Sequence, residues 1–284
     1  MDFWITQIFN GTSYGALLFL LAAGLTLIFG MMRIVNMTHG SYFLLGGYVG
    51  LTVIWRTGSF PLAILVAAVA IAALGVVQWR LFLHRLAGQE LGQVLTTVGF
   101  ALIFQDLALI IWGGEPYTIP APKALTGTVS AGTLYFPVYR IFMIGVAALV
   151  AILLWFVLER TRVGAMMRAT VDDAEMASGV GIDVRRISMG VFALGALLAA
   201  GAGVVGGAFV GVYPGADFEI LPYAFVVVIV GGMGSLRGAL IGSLLVGLLD
   251  NFGKALFPEF SYFTLFAPMA VILAVRPTGL FGRT

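Results

Sequence analysis

Long runs without a charged side chain dominate the sequence, and they predict its helices. The runs cover residues 3–32, 34–55, 57–79, 91–105, 141–158, 187–216, 220–236, 238–249 and 260–275. A helix needs about 20 residues, within a range of about 17–25, to cross a hydrocarbon core of about 30 Å. We therefore predict helices near residues 12–31, 40–55, 60–80, 92–113, 137–158, 187–210, 221–234, 238–253 and 261–275. Because 40–55, 221–234 and 261–275 are short for complete spans, we expect one of them to turn back within the membrane and pack on protein.

The composition is typical of a protein that lies in a bilayer. Hydrophobic residues make up 61% of the chain and charged residues 10%, and the mean hydropathy is +1.06. Soluble domains carry about 25% charged residues. We predict an all-α, polytopic helical membrane protein with about eight transmembrane helices plus a short re-entrant or discontinuous element. Residues 1–284 are predicted to form one transmembrane domain, and the start, MDFWITQIFNGTSYG, shows no removable signal peptide.

The placement of basic residues predicts the orientation of the chain. With residues 156–186 in the cytoplasm and alternating segments, eleven of the fifteen Lys and Arg residues lie inside and four lie outside. The inside set is Arg33, Arg80, Arg85, Arg160, Arg162, Arg168, Arg185, Arg186, Arg237, Arg276 and Arg283, and the outside set is Arg56, Lys123, Arg140 and Lys254. This positive-inside bias predicts an N-terminus outside the cell and a C-terminus in the cytoplasm.

Small residues recur at helical spacing in two places. One stripe consists of Gly195, Ala199, Gly203, Gly207 and Gly211, and a second begins with Gly234, Gly238 and Gly242. Small residues let membrane helices approach closely, because lipid provides no hydrophobic drive for helix association. The stripes predict close packing, either within one bundle or against a sister subunit.

The sequence contains few residues in the patterns that form catalytic or nucleotide-binding sites. Its one Gly-Lys pair, Gly253-Lys254, is followed by Ala255 where a phosphate-binding loop needs Ser or Thr. The two histidines, His39 and His84, are far apart and lack the carboxylate spacing of a metal site. We therefore predict no catalytic residue, no metal site and no cofactor bound by this chain, which is not expected to be an enzyme. A net charge of +2 gives no indication of nucleic-acid binding.

One charged segment, residues 160–186, interrupts the apolar pattern. Helix-forming residues dominate 165–179, and Thr170 or Asp172 could cap a second short helix that Gly179 and Gly181 would end. Its methionines and valines give it an adaptable apolar surface that suits docking against another protein. A solvated connector between two spans is the alternative interpretation.

Five motifs resemble those of one transporter family. They are RATVDDAEMASGVGI in the charged segment, GMMRIVNMTHGSYFLLGGY (30–48), LLAAGAGVVGG (197–207), GGMGSLRGALIGSLLVGLLDN (231–251) and the terminal RPTGLFG (276–282). Together, and in this order, they resemble the inner-membrane permeases of branched-chain amino acid ABC importers. The resemblance implies that part of the charged segment docks on an ATPase subunit. The implied docking residues are Arg168, Ala169, Asp172, Asp173, Met176, Ala177, Gly181 and Ile182.

The resemblance also implies partners and a mechanism. The chain is expected in the bacterial inner membrane, surrounded by lipid. Its expected partners are a second homologous permease (or a second copy), two ABC ATPases and a periplasmic or extracellular solute-binding protein. ATP and Mg²⁺ would be used by the ATPases, whose closure would drive alternating access. The implied substrates are branched-chain or other hydrophobic amino acids, with urea, amides and aromatic acids as alternatives. An ion-coupled transporter that works alone is the rival from another class.

A polar cluster beside an apolar span is the candidate substrate pathway. It consists of Asn36, Thr38, His39, Gly40 and Ser41. Polar side chains at such a place tend to face a bundle interior or an aqueous cavity, and the start of a helix there would favour a carboxylate. A cytoplasmic turn capped by Asn36 and Thr38 is the alternative.

Two further groups of polar residues have open roles. Asp106 interrupts the fourth span, and we expect it to pair with Arg140, although a role in transport is the alternative. The outer loop 212–223, which contains Asp217 and Glu219, is expected either to meet a solute-binding protein or to be plainly solvated.

Overall fold

The computed structural model describes residues 2–282 and shows a helical bundle. Arg283, which was assigned to the cytoplasmic side, lies outside the described residues. The helices of the bundle are α1 (Asp2–Met32), α2 (Thr38–Thr57), α3 (Phe60–Leu81), α4 (Glu90–Trp112), α5 (Val138–Arg160), α6 (Arg162–Asp172), α7 (Ala174–Gly179), α8 (Val184–Gly207), α9 (Ala216–Gly231), α10 (Leu236–Leu256) and α11 (Ser261–Val275). Two strands, β1 (Thr128–Ala131) and β2 (Leu134–Pro137), form an antiparallel hairpin between α4 and α5.

Within residues 2–282, six helices are long and apolar enough to cross a membrane: α1, α3, α4, α5, α8 and α10. Of the three short predicted segments, α2 has 20 residues, α9 has 16 and α11 has 15. Each helix predicted from an apolar run is present. The hairpin and the early start of α1 at Asp2 were not predicted.

Helix α1 is the centre of the bundle. All its residues from Gly15 to Ile28 are buried. A helix that is apolar on every side is typically surrounded by protein. By contrast, α3, α4 and α5 leave many large apolar side chains exposed, among them Leu65, Ile110 and Ile152. These three helices therefore form the apolar outer surface of the bundle.

Both small-residue stripes pack within this chain. A Cβ added at Gly195 would lie 3.0 Å from the carbonyl oxygen of Gly24 in α1, and one at Gly203 would lie 2.0 Å from that of Phe43 in α2. In the second stripe, a Cβ at Gly238 would lie 2.0 Å from the carbonyl oxygen of Gly231. Of the two interpretations of the stripes, packing inside one bundle accounts for these contacts.

Candidate functional site

The polar cluster lies inside the bundle, at the start of α2. After α1, Arg33 adopts a left-handed conformation (φ 52°) that turns the chain back. The side chain of Asn36 then accepts a hydrogen bond from the Thr38 N–H at 3.1 Å. His39 Nε2 lies 2.9 Å from the carbonyl oxygen of Leu21, which precedes the end of α1 by three turns of helix. Helix α2 therefore begins beside the middle of α1, at buried residues, and not in an exposed turn.

A buried hydrogen-bond network ties this start to α3 and α4. The Thr38 hydroxyl donates to the Thr97 carbonyl oxygen at 2.9 Å and accepts from Gln78 Nε2 at 3.0 Å. Tyr42 donates its hydroxyl proton to Gln78 Oε1, and the Met37 N–H donates to Thr97 Oγ1 at 3.2 Å. Gln78 and Thr97 were not identified from the sequence. The signal that could have found them is an isolated amide or hydroxyl in an otherwise apolar span.

A carboxylate completes the site from another part of the chain. Ser41 donates its hydroxyl proton to Asp217 Oδ2 at 2.8 Å, and Asp217 is only 2% exposed. The first turns of α2 and α9 touch here, since a Cβ on Gly40 would lie 2.6 Å from the carbonyl oxygen of Asp217. The expectation that Asp217 lies in a solvated outer loop is therefore wrong, because α9 begins at Ala216 and carries it into the bundle. Glu219, two residues later, is exposed as expected.

Several polar atoms of this site have no hydrogen-bond partner among the described residues. They are Asn36 Nδ2, His39 Nδ1 and Asp217 Oδ1. An unpartnered polar atom is costly to bury, and most buried polar groups in proteins are paired. The site thus combines a donor and acceptors that could serve a polar ligand. In residues 2–282 no three or more acidic or histidine side chains are grouped as metal ligands.

An apolar cleft of about 430 Å³ adjoins the polar cluster. It extends between α4, α9 and α11, and its lining includes Met37 and Phe218, which neighbour Thr38 and Asp217 in the sequence. Its lining consists of Met37, Val98, Phe218, Leu221, Pro222, Phe225, Val226, Ile229, Phe266 and Met269. Every one of these side chains is apolar, so the cleft suits an aliphatic or aromatic group.

Three side-chain caps shape the charged segment. Thr161 Oγ1 accepts from the Gly164 N–H at 3.2 Å and caps α6, while Asp173 Oδ1 accepts from the Met176 N–H at 2.9 Å and caps α7. Asp183 caps α8 in the same way. The second helix is thus capped by Asp173, not by Thr170 or Asp172, because the chain leaves α6 in an extended conformation only at Asp173.

The predicted docking residues face in different directions. Met176 is 65% exposed, and Asp172, Asp173 and Gly181 are exposed as well. Ala177 is buried, and Arg168 turns towards α5, where it donates to the Leu158 carbonyl oxygen. Ala169 and Ile182 are partly buried. Val180, one of the valines expected to give the segment its apolar surface, is 72% exposed and adds to the apolar patch around Met176.

The expected pair between Asp106 and Arg140 does not form. Arg140 donates to Asn10 Oδ1 and lies 4.9 Å from the ring centroid of Phe209. Asp106 is exposed on the outer face of α4. The spacing of residues along the chain does not show which sides of α4 and α5 face each other, so it could not show whether the two side chains meet.

Known proteins are similar to this chain over nearly its whole length. The family described as "Branched-chain amino acid transport system / permease component" matches residues 7–275. The chain is 29% identical over 296 residues to the high-affinity branched-chain amino acid transport system permease protein BraD of Pseudomonas aeruginosa, covering 99% of this chain and 96% of that protein. It is 28% identical over 303 residues to the corresponding LivH of Escherichia coli, with the same shares covered.

More distant proteins also match over most of the chain. The ribose import permease RbsC of Escherichia coli is 26% identical over 280 residues, covering 95% of this chain and 84% of that protein. The solved structure "PsaBC from Streptococcus pneumoniae in complex with Fab" has a TM-score of 0.49 at 13% identity and covers 94% of this chain and 89% of that chain. That structural similarity is too low to bear on function. The family match and the full-length relatives show that this multi-pass helical protein belongs to the branched-chain amino acid permease family, whose members serve as permease subunits of ABC importers.

Proposed function

We propose that this permease carries branched-chain and other hydrophobic amino acids across the bacterial inner membrane. The similarity to BraD and LivH over 99% of the chain supports this substrate class, because both relatives are named for branched-chain amino acid transport. The N-terminus is outside and the C-terminus is in the cytoplasm, as the basic residues favour. The chain itself performs no covalent chemistry and binds no nucleotide.

The charged segment is the docking site of the ATPase in this proposal. The observation that carries it is the exposed apolar patch of Met176 and Val180 on the capped helix α7. An exposed apolar patch between charged residues is typical of a protein–protein contact. Arg168 is bonded to α5 and Ala177 is buried, while Asp172 and Asp173 are exposed just before α7.

The assembled importer contains partners that supply the energy and the substrate. They are a second homologous permease or a second copy, two ABC ATPases that use ATP and Mg²⁺, and a solute-binding protein on the outer side. Closure of the ATPases moves α7, and alternating access follows at the polar cluster. Asn36, Thr38, His39, Gly40 and Ser41 line the route of the substrate, which the burial of these residues beside α1 supports.

Co-purification tests the docking step directly. A tagged chain from its native membrane should retain an ATPase, and the complex in proteoliposomes should take up labelled leucine only with ATP and binding protein. The variant Met176→Asp should lose the ATPase, whereas Val129→Asp, at an exposed apolar position in the β-hairpin, should retain it. Retention of the ATPase by Met176→Asp, or uptake without any ATPase, would contradict the proposal.

A further inference from the structure

Within the described part of the chain, the carboxylate of Asp217 has no cationic partner. Its Oδ2 accepts from Ser41, but its Oδ1 has no hydrogen-bond partner and no ion pair joins it within residues 2–282. Acidic side chains in membrane proteins normally pair with a cation or serve a transport pathway. A carboxylate that is 2% exposed and has one unpartnered oxygen is a candidate ligand-binding group.

Two helix N-termini meet at Asp217. It lies in the first turn of α9, and Ser41 lies in the first turn of α2, so the positive ends of two helix dipoles meet at the carboxylate. Gly40 makes this approach possible, since a Cβ there would be 2.6 Å from the Asp217 carbonyl oxygen. The carboxylate is thus held in place between α2 and α9, and its Oδ1 is left for a ligand.

The apolar cleft is lined by residues that follow Asp217 in α9. Phe218 follows Asp217 and is 41% exposed at the cleft, while Leu221 lines the cleft and also lies against Gly40. A ligand that used both features would carry a positive charge on one end and an apolar group on the other. A hydrophobic amino acid has both, because its ammonium group lies one carbon from its side chain.

We propose that Asp217, oriented by Ser41, binds the ammonium group of the transported hydrophobic amino acid while the apolar cleft receives its side chain. This assignment rests on the proposed import of amino acids and narrows the substrate class. Urea, amides and aromatic acids carry no ammonium group, so Asp217 would give them no corresponding stabilisation. The residue thereby selects for amino acids inside the permease, after any selection by a binding protein.

The test compares two acid-to-amide substitutions in the same helix. In the complete importer in proteoliposomes, Asp217→Asn keeps the size and the bond to Ser41 but removes the charge. Because a hydrogen bond to a charged group is lost, uptake of labelled leucine should fall about tenfold or more. Glu219→Gln, the same change at an exposed position two residues away, should leave uptake unchanged. Ser41→Ala keeps the carboxylate and should cause a smaller loss.

A second measurement does not depend on transport. A hydrophobic carbodiimide should modify Asp217 in the purified complex, and mass spectrometry of its peptide should show protection by leucine and by 3-methylbutylamine. The acid 4-methylpentanoate, which has the same side chain but no ammonium group, should give no protection. This measurement remains informative if Asp217→Asn assembles poorly.

The outcomes separate the two proposals. Leucine uptake by Asp217→Asn at the wild-type rate, or equal protection by 4-methylpentanoate, would overturn the ammonium site and leave amino-acid import intact. Protection by sodium ions alone would assign the carboxylate to a metal cation and would also overturn the inference. A wild-type importer that takes up no amino acid would contradict the proposed function itself.

Discussion

The contact between α2 and α8 leads to a sharp prediction about Gly203. A Cβ at this position would lie 2.0 Å from the carbonyl oxygen of Phe43 and 2.9 Å from the backbone nitrogen of Gly47. Ordinary contact begins at 3.4 Å, so Gly203→Ala requires α2 and α8 to separate by about 1.4 Å. Neither obstacle is a flexible side chain, and the clash must be relieved by moving helices.

Gly203→Ala should lower the free energy of unfolding by about 1–3 kcal/mol, the usual cost of an overpacked core. Gly201→Ala is the matched control, because the same helix has nothing within 4 Å of a Cβ added there. Both variants gain the helix propensity of alanine over glycine, about 1 kcal/mol in soluble helices. The difference between the two variants therefore isolates the clash with α2.

Unfolding of the purified chain by added denaturing detergent measures this difference. We expect Gly203→Ala to unfold at a lower detergent fraction than the wild type and Gly201→Ala to unfold at the same or a higher fraction. If Gly203→Ala proved as stable as Gly201→Ala, the close α2–α8 crossing would be refuted.

Three further predictions concern the caps and the buried network. Asp173→Ala should lose about 1 kcal/mol of cap stabilisation in α7 and reduce ATP-driven uptake, whereas Asp173→Ser should retain most of the uptake. Thr38→Val should lower the unfolding free energy by about 1 kcal/mol, because it removes the bond to Thr97, and Thr38→Ser should restore it. The hydrogen bond to Glu219, followed by burial, raises the pKa of Tyr213 from 10.0 to about 12. Because the folded state favours the neutral phenol, this stabilisation is complete below pH 10.0 and is lost as the pH rises to about 12. Thermal melts across that range should show a larger loss in the wild type than in Tyr213→Phe.

The helices were predictable from the sequence because charge-free runs of sufficient length have few alternatives in a bilayer. The polar cluster at Asn36–Ser41 was also predictable, since several polar side chains beside an apolar span stand out in a chain with 10% charged residues. Its burial could not be decided, because the turn at Arg33 depends on one left-handed residue that no sequence rule requires.

Asp217 was misplaced because two acids between two prolines are typical of a loop. Its partner Ser41 is 176 residues away in the sequence, so only the fold brings the two together. The same reasoning explains the failed pair of Asp106 and Arg140. Both residues were correctly placed in their helices. The helical period of 3.6 residues shows which residues share a face, but not which neighbouring helix that face contacts.

A three-way contact connects the charged segment to the polar cluster. A Cβ at Gly24 in α1 would lie 2.7 Å from the carbonyl oxygen of Gly195 in α8 and 3.0 Å from His39 Cε1 in α2. Helix α8 begins at Val184, directly after α7 and its exposed patch. Packed interiors do not deform continuously, so a displacement of α8 at this point has to change the position of α1 or of His39. In the proposed function, motion of α7 would therefore reach the substrate route through backbone contacts between glycines, without any chain of charged side chains across the bundle.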